Sequence, residues 1–124
     1  MTKCDQLRFT VAVIHRNGAE RLDGALFSIE NAFDPSRDEI IVVDNASSDG
    51  SLDAVLARHP VVRVIRNNCN AGYARACNQA MRAGRGEFFL LCNNDLKLPQ
   101  DALNLFEADF CDFPNAGLIG GKLS

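Results

Sequence analysis

No apolar run in this sequence approaches the ~20 residues needed to span a bilayer. The first apolar stretch, residues 9–14, stops at His15-Arg16-Asn17, and no small-residue cleavage site follows it. A secretory leader is therefore not expected, and the cytoplasm is the expected compartment. Cysteine spacing is equally uninformative for metal or disulfide chemistry. Cys4, Cys69, Cys77, Cys92 and Cys111 are odd in number and none forms a C-x-x-C pair, which leaves reduced thiols, Cys92 within the core. A basic excess is also lacking. With 13 Lys and Arg against 16 Asp and Glu, the chain offers no broad surface for nucleic acid, so no nucleic-acid partner is expected. A local basic pocket for phosphate remains open.

The glycine-rich phosphate cradles are missing too. There is no G-x-x-x-x-G-K-[ST], and no G-x-G-x-x-G follows the first apolar run. This disfavours kinase-like NTPases and nicotinamide enzymes. It makes a metal ion the expected neutraliser of any bound diphosphate. No internal repeat, low-complexity tract or linker interrupts the chain, so residues 1–124 read as one domain.

What is present is a regular alternation. Residues 9–14 form an apolar, β-branched run that predicts a strand. After the turn signal Asn17-Gly18, Leu22, Ala25, Leu26, Ile29, Ala32 and Phe33 recur at helical spacing. Asp34-Pro35-Ser36 ends that helix. Residues 39–44 predict the second strand, whose continuous apolar run 40–43 suits a strand covered on both faces. A second helix with Leu52, Val55 and Leu56 inward follows, N-capped by Ser48 or Asp49 and stopped before Pro60. A third strand is predicted over 61–65, a third helix from Gly72 to about Ala83, and a fourth strand over 88–92. A helix from Pro99 with Leu103, Phe106 and Phe110 inward, then a strand over 116–120, complete the pattern. The order βαβαβαβαβ implies an α/β, doubly wound, mostly parallel sheet with right-handed crossovers.

In open sheets of this kind, ligands bind beyond the carboxyl ends of the strands. Polar clusters stand at those ends: His15-Arg16-Asn17, Asp44-Asn45, Asn67-Asn68 and Asn93-Asn94-Asp95. A carboxylate at Asp44 can accept the imide N–H that uracil or thymine offers. Asp95 is a hard oxygen ligand suited to Mg²⁺ or Mn²⁺ carrying a diphosphate. Arg75, early in the third helix, can face phosphate.

Three ordered strings then carry a resemblance. Val43-Asp44-Asn45-Ala46-Ser47-Ser48-Asp49-Gly50-Ser51 resembles the VDNxSxDGS segment of inverting family-2 glycosyltransferases. Asn70-Ala71-Gly72-Tyr73-Ala74-Arg75-Ala76-Cys77-Asn78-Gln79-Ala80 is similar to their NxGxxxAxNxG helix. Leu90-Leu91-Cys92-Asn93-Asn94-Asp95 resembles their DxD segment. The resemblance covers about residues 9–124 and implies the nucleotide-sugar-binding half of a GT-A fold. It implies that His15 to Asn17 lie along the nucleotide and that Asp44, with Asn45 beside it, holds the pyrimidine. Arg75 and Asn78 would line the base or diphosphate side, Asn93 would meet ribose or a metal-bound water, and Asp95 would ligate the divalent ion. The implied ligand is a UDP- or dTDP-linked sugar, and the implied context is cell-envelope polysaccharide synthesis.

The sequence departs from the family pattern in two places. Asn93 replaces the first carboxylate of DxD, which removes a charge from the cation site and resembles rhamnosyl- or galactofuranosyl-type branches. The chain also ends where relatives continue for ~100 residues with the acceptor surface and the catalytic base. Asp101, Glu107, Asp109 and Asp112 read as a solvated helix face, so no residue is assigned as base. The expectations are donor binding with little or no transfer by these residues alone, and peripheral membrane association of a full enzyme. Self-association, a homodimer, is expected through Leu118, Ile119 and Leu123. The alternative is a non-catalytic nucleotide-sugar-binding or protein-interaction module. A receiver-type domain is disfavoured because Arg66-Asn67-Asn68 stands where its acidic phosphoacceptor belongs.

Overall fold

The computed structural model of the chain describes residues 7–112. Within them run β1 (Leu7–His15), α1 (Ala19–Ala32), β2 (Asp38–Asn45), α2 (Ser51–Arg58), β3 (Arg63–Asn67), α3 (Tyr73–Ala83), β4 (Gly86–Asn93) and α4 (Ala102–Asp112). The strands form one sheet in the order β3-β2-β1-β4, and every pairing is parallel. The α/β doubly wound reading holds for these residues. The strand expected at 116–120, the Phe110 side chain and the apolar residues expected to mediate self-association lie outside what is described.

Alternation along the two central strands builds two cores. Phe9, Val11 and Val13 of β1 meet Ile40 and Val42 of β2 and the inward faces of α1, α2 and α4, represented by Leu22, Leu26, Ile29, Leu52, Val55 and Leu103. The residues between them, Ala12 and Ile14 with Ile41 and Val43, pack on Ala76, Cys77 and Ala80 of α3. Both central strands are therefore covered on both faces, which explains their unbroken apolar runs. Gly86 starts β4 against β1 so closely that a Cβ would stand 2.3 Å from the Thr10 nitrogen, so only glycine fits this approach.

The strands β1, β2 and β4 extend one or two residues beyond the predicted spans, and three further differences have a visible cause. β3 begins at Arg63 rather than residue 61, because the Val62 N–H donates to the His59 oxygen and closes a turn first. α4 begins at Ala102 rather than at Pro99, whose oxygen accepts the Ala102 N–H. The N-cap of α2 is Gly50 in a left-handed conformation (φ 67), with no side-chain cap. The Asp49 carboxylate instead accepts the Gly18 N–H, and the Ser48 N–H donates to Asn17 Oδ1, both in the loop after β1.

Two ionic clusters fasten the layers away from the carboxyl edge. The ring nitrogens of the buried His59 contact Asp23 (2.7 Å) and Glu30, joining the end of α2 to α1. Arg8 is sandwiched between Asp38, Asn104 and Glu107. Glu107 is thus not simply a solvated helix charge: it also pairs with Arg37 at 2.7 Å and ties α4 to the amino ends of the strands. Among the described residues, no helix is long and apolar enough to cross a membrane.

Candidate functional site at the carboxyl edge of the sheet

Parallel pairing places the ends of all four strands along one edge. Register sets His15 beside Asp44, Asp44 beside Arg66 and Asn45 beside Asn67, while Ile14 sits beside Asn93. The polar clusters at the ends of β1, β2 and β4 are thereby brought together, with β1 between the other two. The order of strands reverses between β1 and β4, the position where doubly wound sheets open a crevice.

Local backbone shape makes the first two loops fold toward each other. Asn17 (φ 59), Gly18 (φ 101) and Ala46 (φ 63) adopt left-handed conformations; Asn and Gly enter this region readily, and Ala does so only when its surroundings impose it. The loops are then laced together. Asn17 N–H donates to Ser47 Oγ (2.9 Å), Ser48 N–H to Asn17 Oδ1 (2.9 Å) and Gly18 N–H to Asp49 Oδ2 (2.8 Å). Ser47 donates through its hydroxyl and its N–H to Asp44 Oδ1. The buried Asp44 carboxylate is held by one oxygen, and both of these bonds go to that oxygen.

Asn45 is occupied by the third loop. Its Oδ1 accepts from Asn67 Nδ2 (2.9 Å) and the Ala71 N–H (3.4 Å), and its Nδ2 donates to the Gly72 oxygen (3.4 Å). Asn67 and Gln79 then exchange amide hydrogen bonds at 2.9 and 2.8 Å. Asn45 consequently sets the start of α3 against the end of β2. Arg75 and Asn78 are exposed on α3. Its buried face is formed by Ala76, Cys77 and Ala80, and helical spacing puts positions 75 and 78 on the opposite side. No described contact joins either residue to the strand-end network.

At the far side of β1, Asn93 and Asp95 are exposed in the turn that follows β4. Among the described residues, no three His, Cys, Asp or Glu side chains gather into a protein-only metal cage. The donors present suit Mg²⁺ or Mn²⁺ in the manner those ions favour, one or two protein oxygens with substrate phosphates and water completing the shell.

Sequence reasoning missed the residues that connect these parts: Ser47, Asp49, Asn94 and Arg21. Ser47, Asp49 and Asn94 stand inside the quoted strings, where their type was visible but their partners were not. Arg21 lies in the first turn of α1 with its guanidinium folded back over Gly18, 2.8 Å from where a Cβ would stand.

His15 is fully buried at the centre of the edge. Burial pushes its imidazole below the ordinary 6.5; the charges of Asp44 and Asp49 oppose this, and that of Arg21 adds to it. The unfolded chain therefore takes up a proton on His15 at a pH where the folded chain does not. The stability tied to the neutral ring is full above 6.5 and is lost as pH falls through the lowered folded value. We expect the urea midpoint to fall on acidification across this window, and His15→Gln to flatten the slope. A wild-type midpoint that stays level there would mean that His15 is not held neutral.

Comparison with known proteins adds ancestry to this geometry. A family model described as glycosyl transferase family 2 matches residues 10–122. An uncharacterized glycosyltransferase of Bacillus subtilis strain 168, YfnE, is 31% identical over 98 residues, covering 77% of this chain and 25% of its own length. Among solved structures, S. aureus TarS 1-349 in complex with UDP-GlcNAc is 25% identical with a TM-score of 0.75, covering 86% of this chain and 32% of that one. The mannosyltransferase PcManGT of Pyrobaculum calidifontis, in complex with GDP-Man and Mn²⁺, is 27% identical with a TM-score of 0.69, covering 77% and 30%. The chain thus spans about a quarter to a third of the length of these relatives.

Proposed function

Because this chain belongs to glycosyl transferase family 2, we propose that its carboxyl edge holds the nucleoside-diphosphate part of a sugar donor. The whole protein would then transfer that sugar to a hydroxyl of a growing glycan with inversion. The observation that carries the reading is the placement of Asp44 and the Asn93–Asp95 turn on either side of β1, joined through hydrogen-bonded loops into one rim.

In this reading, Asp44 accepts the imide N–H of uracil or thymine through the oxygen not held by Ser47. His15 and Asn17 form the floor beneath the nucleotide, and Asn45 fixes the wall at the start of α3. Asn93 faces ribose or a cation-bound water, and Arg21 is the cation placed to meet a diphosphate. Arg75 and Asn78 stand on the outer side of α3, so their part is limited to a donor that overhangs that helix. Asp95 holds Mg²⁺ or Mn²⁺, and that ion supplies charge neutralisation to the departing diphosphate. The solved relatives, one in complex with UDP-GlcNAc and the other with GDP-Man and Mn²⁺, support a nucleotide-sugar site and the use of a divalent ion. Among the described residues β4 is an edge strand of the sheet, with Leu91 39% exposed, which supports association with further chain or with a second copy. Cytoplasmic location, membrane-surface work by the whole enzyme and a cell-envelope glycan product belong to the same proposal.

Calorimetric titration with UDP and dTDP, with and without Mn²⁺, tests the site. We expect binding that Mn²⁺ strengthens and that Asp95→Ala weakens by about 10-fold or more in the presence of the ion. Equal affinity with and without Mn²⁺ in both proteins would remove Asp95 from the cation site. No binding at all would remove the donor pocket.

A further inference from the structure

The sequence strings assign no role to Asn94. It occupies the second position of the turn after β4, which the Leu96 N–H closes by donating to the Asn93 oxygen at 3.3 Å. Asp95 occupies the third. The two side chains part company there: Asp95 is exposed and Asn94 is half-buried. Asn94 Nδ2 donates to the backbone oxygen of Asn17 (3.0 Å) and to Nδ1 of His15 (3.1 Å). A carbonyl oxygen can only accept, so the contact with Asn17 fixes which end of the amide faces β1. The same nitrogen meets His15, whose Nδ1 is therefore the accepting nitrogen of a neutral ring.

Both acceptors belong to the end of β1 and the residues just after it, on the strand that neighbours β4 directly. Asn17 is also the residue whose N–H reaches Ser47, which in turn grips Asp44. One continuous set of hydrogen bonds therefore runs from the carboxylate after β2, across the end of β1, to the turn that carries Asp95. On the other flank of the turn, the Leu98 N–H donates to Ser28 of α1 at 3.0 Å. The turn is anchored on both sides while its carboxylate stays open to solvent.

We propose that Asn94 is a positioning residue for the divalent-cation site, its amide locking the turn onto β1 so that the Asp95 carboxylate is presented in a fixed direction before the donor arrives. The assignment rests on the donor-site reading above. It gives the middle residue of the Asn93-Asn94-Asp95 string a role directed toward the protein and away from the ion. Partners that orient a metal ligand without touching the metal commonly change its affinity by about 10–100-fold.

The test compares the unsubstituted chain, Asn94→Ala and Asn94→Asp, each titrated with UDP alone and with UDP plus Mn²⁺, with circular dichroism as the check on folding. We expect Asn94→Ala to lose about 10-fold or more of the Mn²⁺-dependent gain, a larger loss than any in the metal-free affinity. Asn94→Asp keeps the shape and replaces the donor with an oxygen facing two acceptors, so it should lose that gain as well. An Asn94→Ala protein with an intact Mn²⁺ response would overturn the proposal. A loss shared equally by the metal-free and metal-dependent binding would do the same, because it would indicate general damage. An Asn94→Asp protein that binds Mn²⁺ and UDP more tightly than the unsubstituted chain would make position 94 a ligand, which also overturns it. If the unsubstituted chain binds UDP under neither condition, the donor-site reading itself has failed and the proposal falls with it.

Discussion

Replacing Asp38 with alanine should cost about 3–5 kcal/mol of folding stability in urea denaturation, the usual result of removing one partner from a buried ion pair. The Asp38 side chain is fully buried and that of Arg8 is only 5% exposed. Their contact is bidentate, with Arg8 Nε donating to Oδ1 at 2.9 Å and an η nitrogen donating to Oδ2 at 2.6 Å. The same carboxylate also accepts the Phe9 N–H (3.1 Å) and the Asp34 N–H (2.8 Å), which fastens the start of β1 and the loop before β2. Its hydrogen bond is the main reason the Arg8 guanidinium is held above its ordinary pKa. Asn104 and the more distant Glu107 remain as neighbours of Arg8 after the substitution, but neither replaces the backbone bonds. Against a typical total of about 5–15 kcal/mol, this loss is large enough to populate the unfolded state. Asp38→Asn, which keeps neutral acceptor capacity, should fall between alanine and the parent. An alanine variant within about 1 kcal/mol of the parent would mean that this cluster is not a principal clamp. The cluster lies at the amino ends of the strands, so nucleotide affinity of the folded protein should not move.

Asp44→Asn should lower affinity for UDP by about 10–100-fold, the worth of a charge-assisted hydrogen bond of about 1.5–3 kcal/mol. On the proposed contact between Asp44 and the base, the route of the loss follows from the Ser47 bonds. Ser47 donates twice to one carboxylate oxygen, so an amide at position 44 keeps its own oxygen there and turns its NH₂ toward the ligand. Uracil also presents a donor, its imide N–H, and two donors then face each other. Cytosine presents an acceptor at the equivalent ring nitrogen, so CDP should lose far less and could become the preferred nucleotide. Titration of parent and variant with UDP and CDP reads both effects. Unchanged UDP affinity would show that Asp44 does not meet the base, and a parallel loss for both nucleotides would assign it to the architecture of the rim.

Much of this architecture is legible without coordinates because its causes are local. The apolar runs of β1 and β2, the helical spacing of Leu22, Leu26 and Ile29 and the stop signal around Pro35 are decided by neighbours a few residues away. The discrepancies arise where a distant or competing partner prevails. Val61 and Val62 have strand character, yet a turn back to His59 claims them. Asp49 has capping chemistry for α2, yet the Gly18 N–H takes its carboxylate. Glu107 reads as a solvated helix charge until Arg8 and Arg37 are brought to it.

The division is sharpest at the site. The sequence by itself determined that polar residues end each strand, that the sheet is parallel and that Asp44 and Asp95 stand in the strings that define the family. Periodicity and motif spacing are properties of short stretches of chain, and they survive in one dimension. Only the tertiary structure decided which of those polar side chains stay exposed at the carboxyl edge and which hold the rim. Asn17 reaches Ser47 across 30 positions, Ser48 reaches back to Asn17 across 31 and Asn94 reaches Asn17 across 77. A hydrogen bond is set by direction and distance in space. The partner that satisfies an amide is therefore unknown until the strands are aligned and their ends meet.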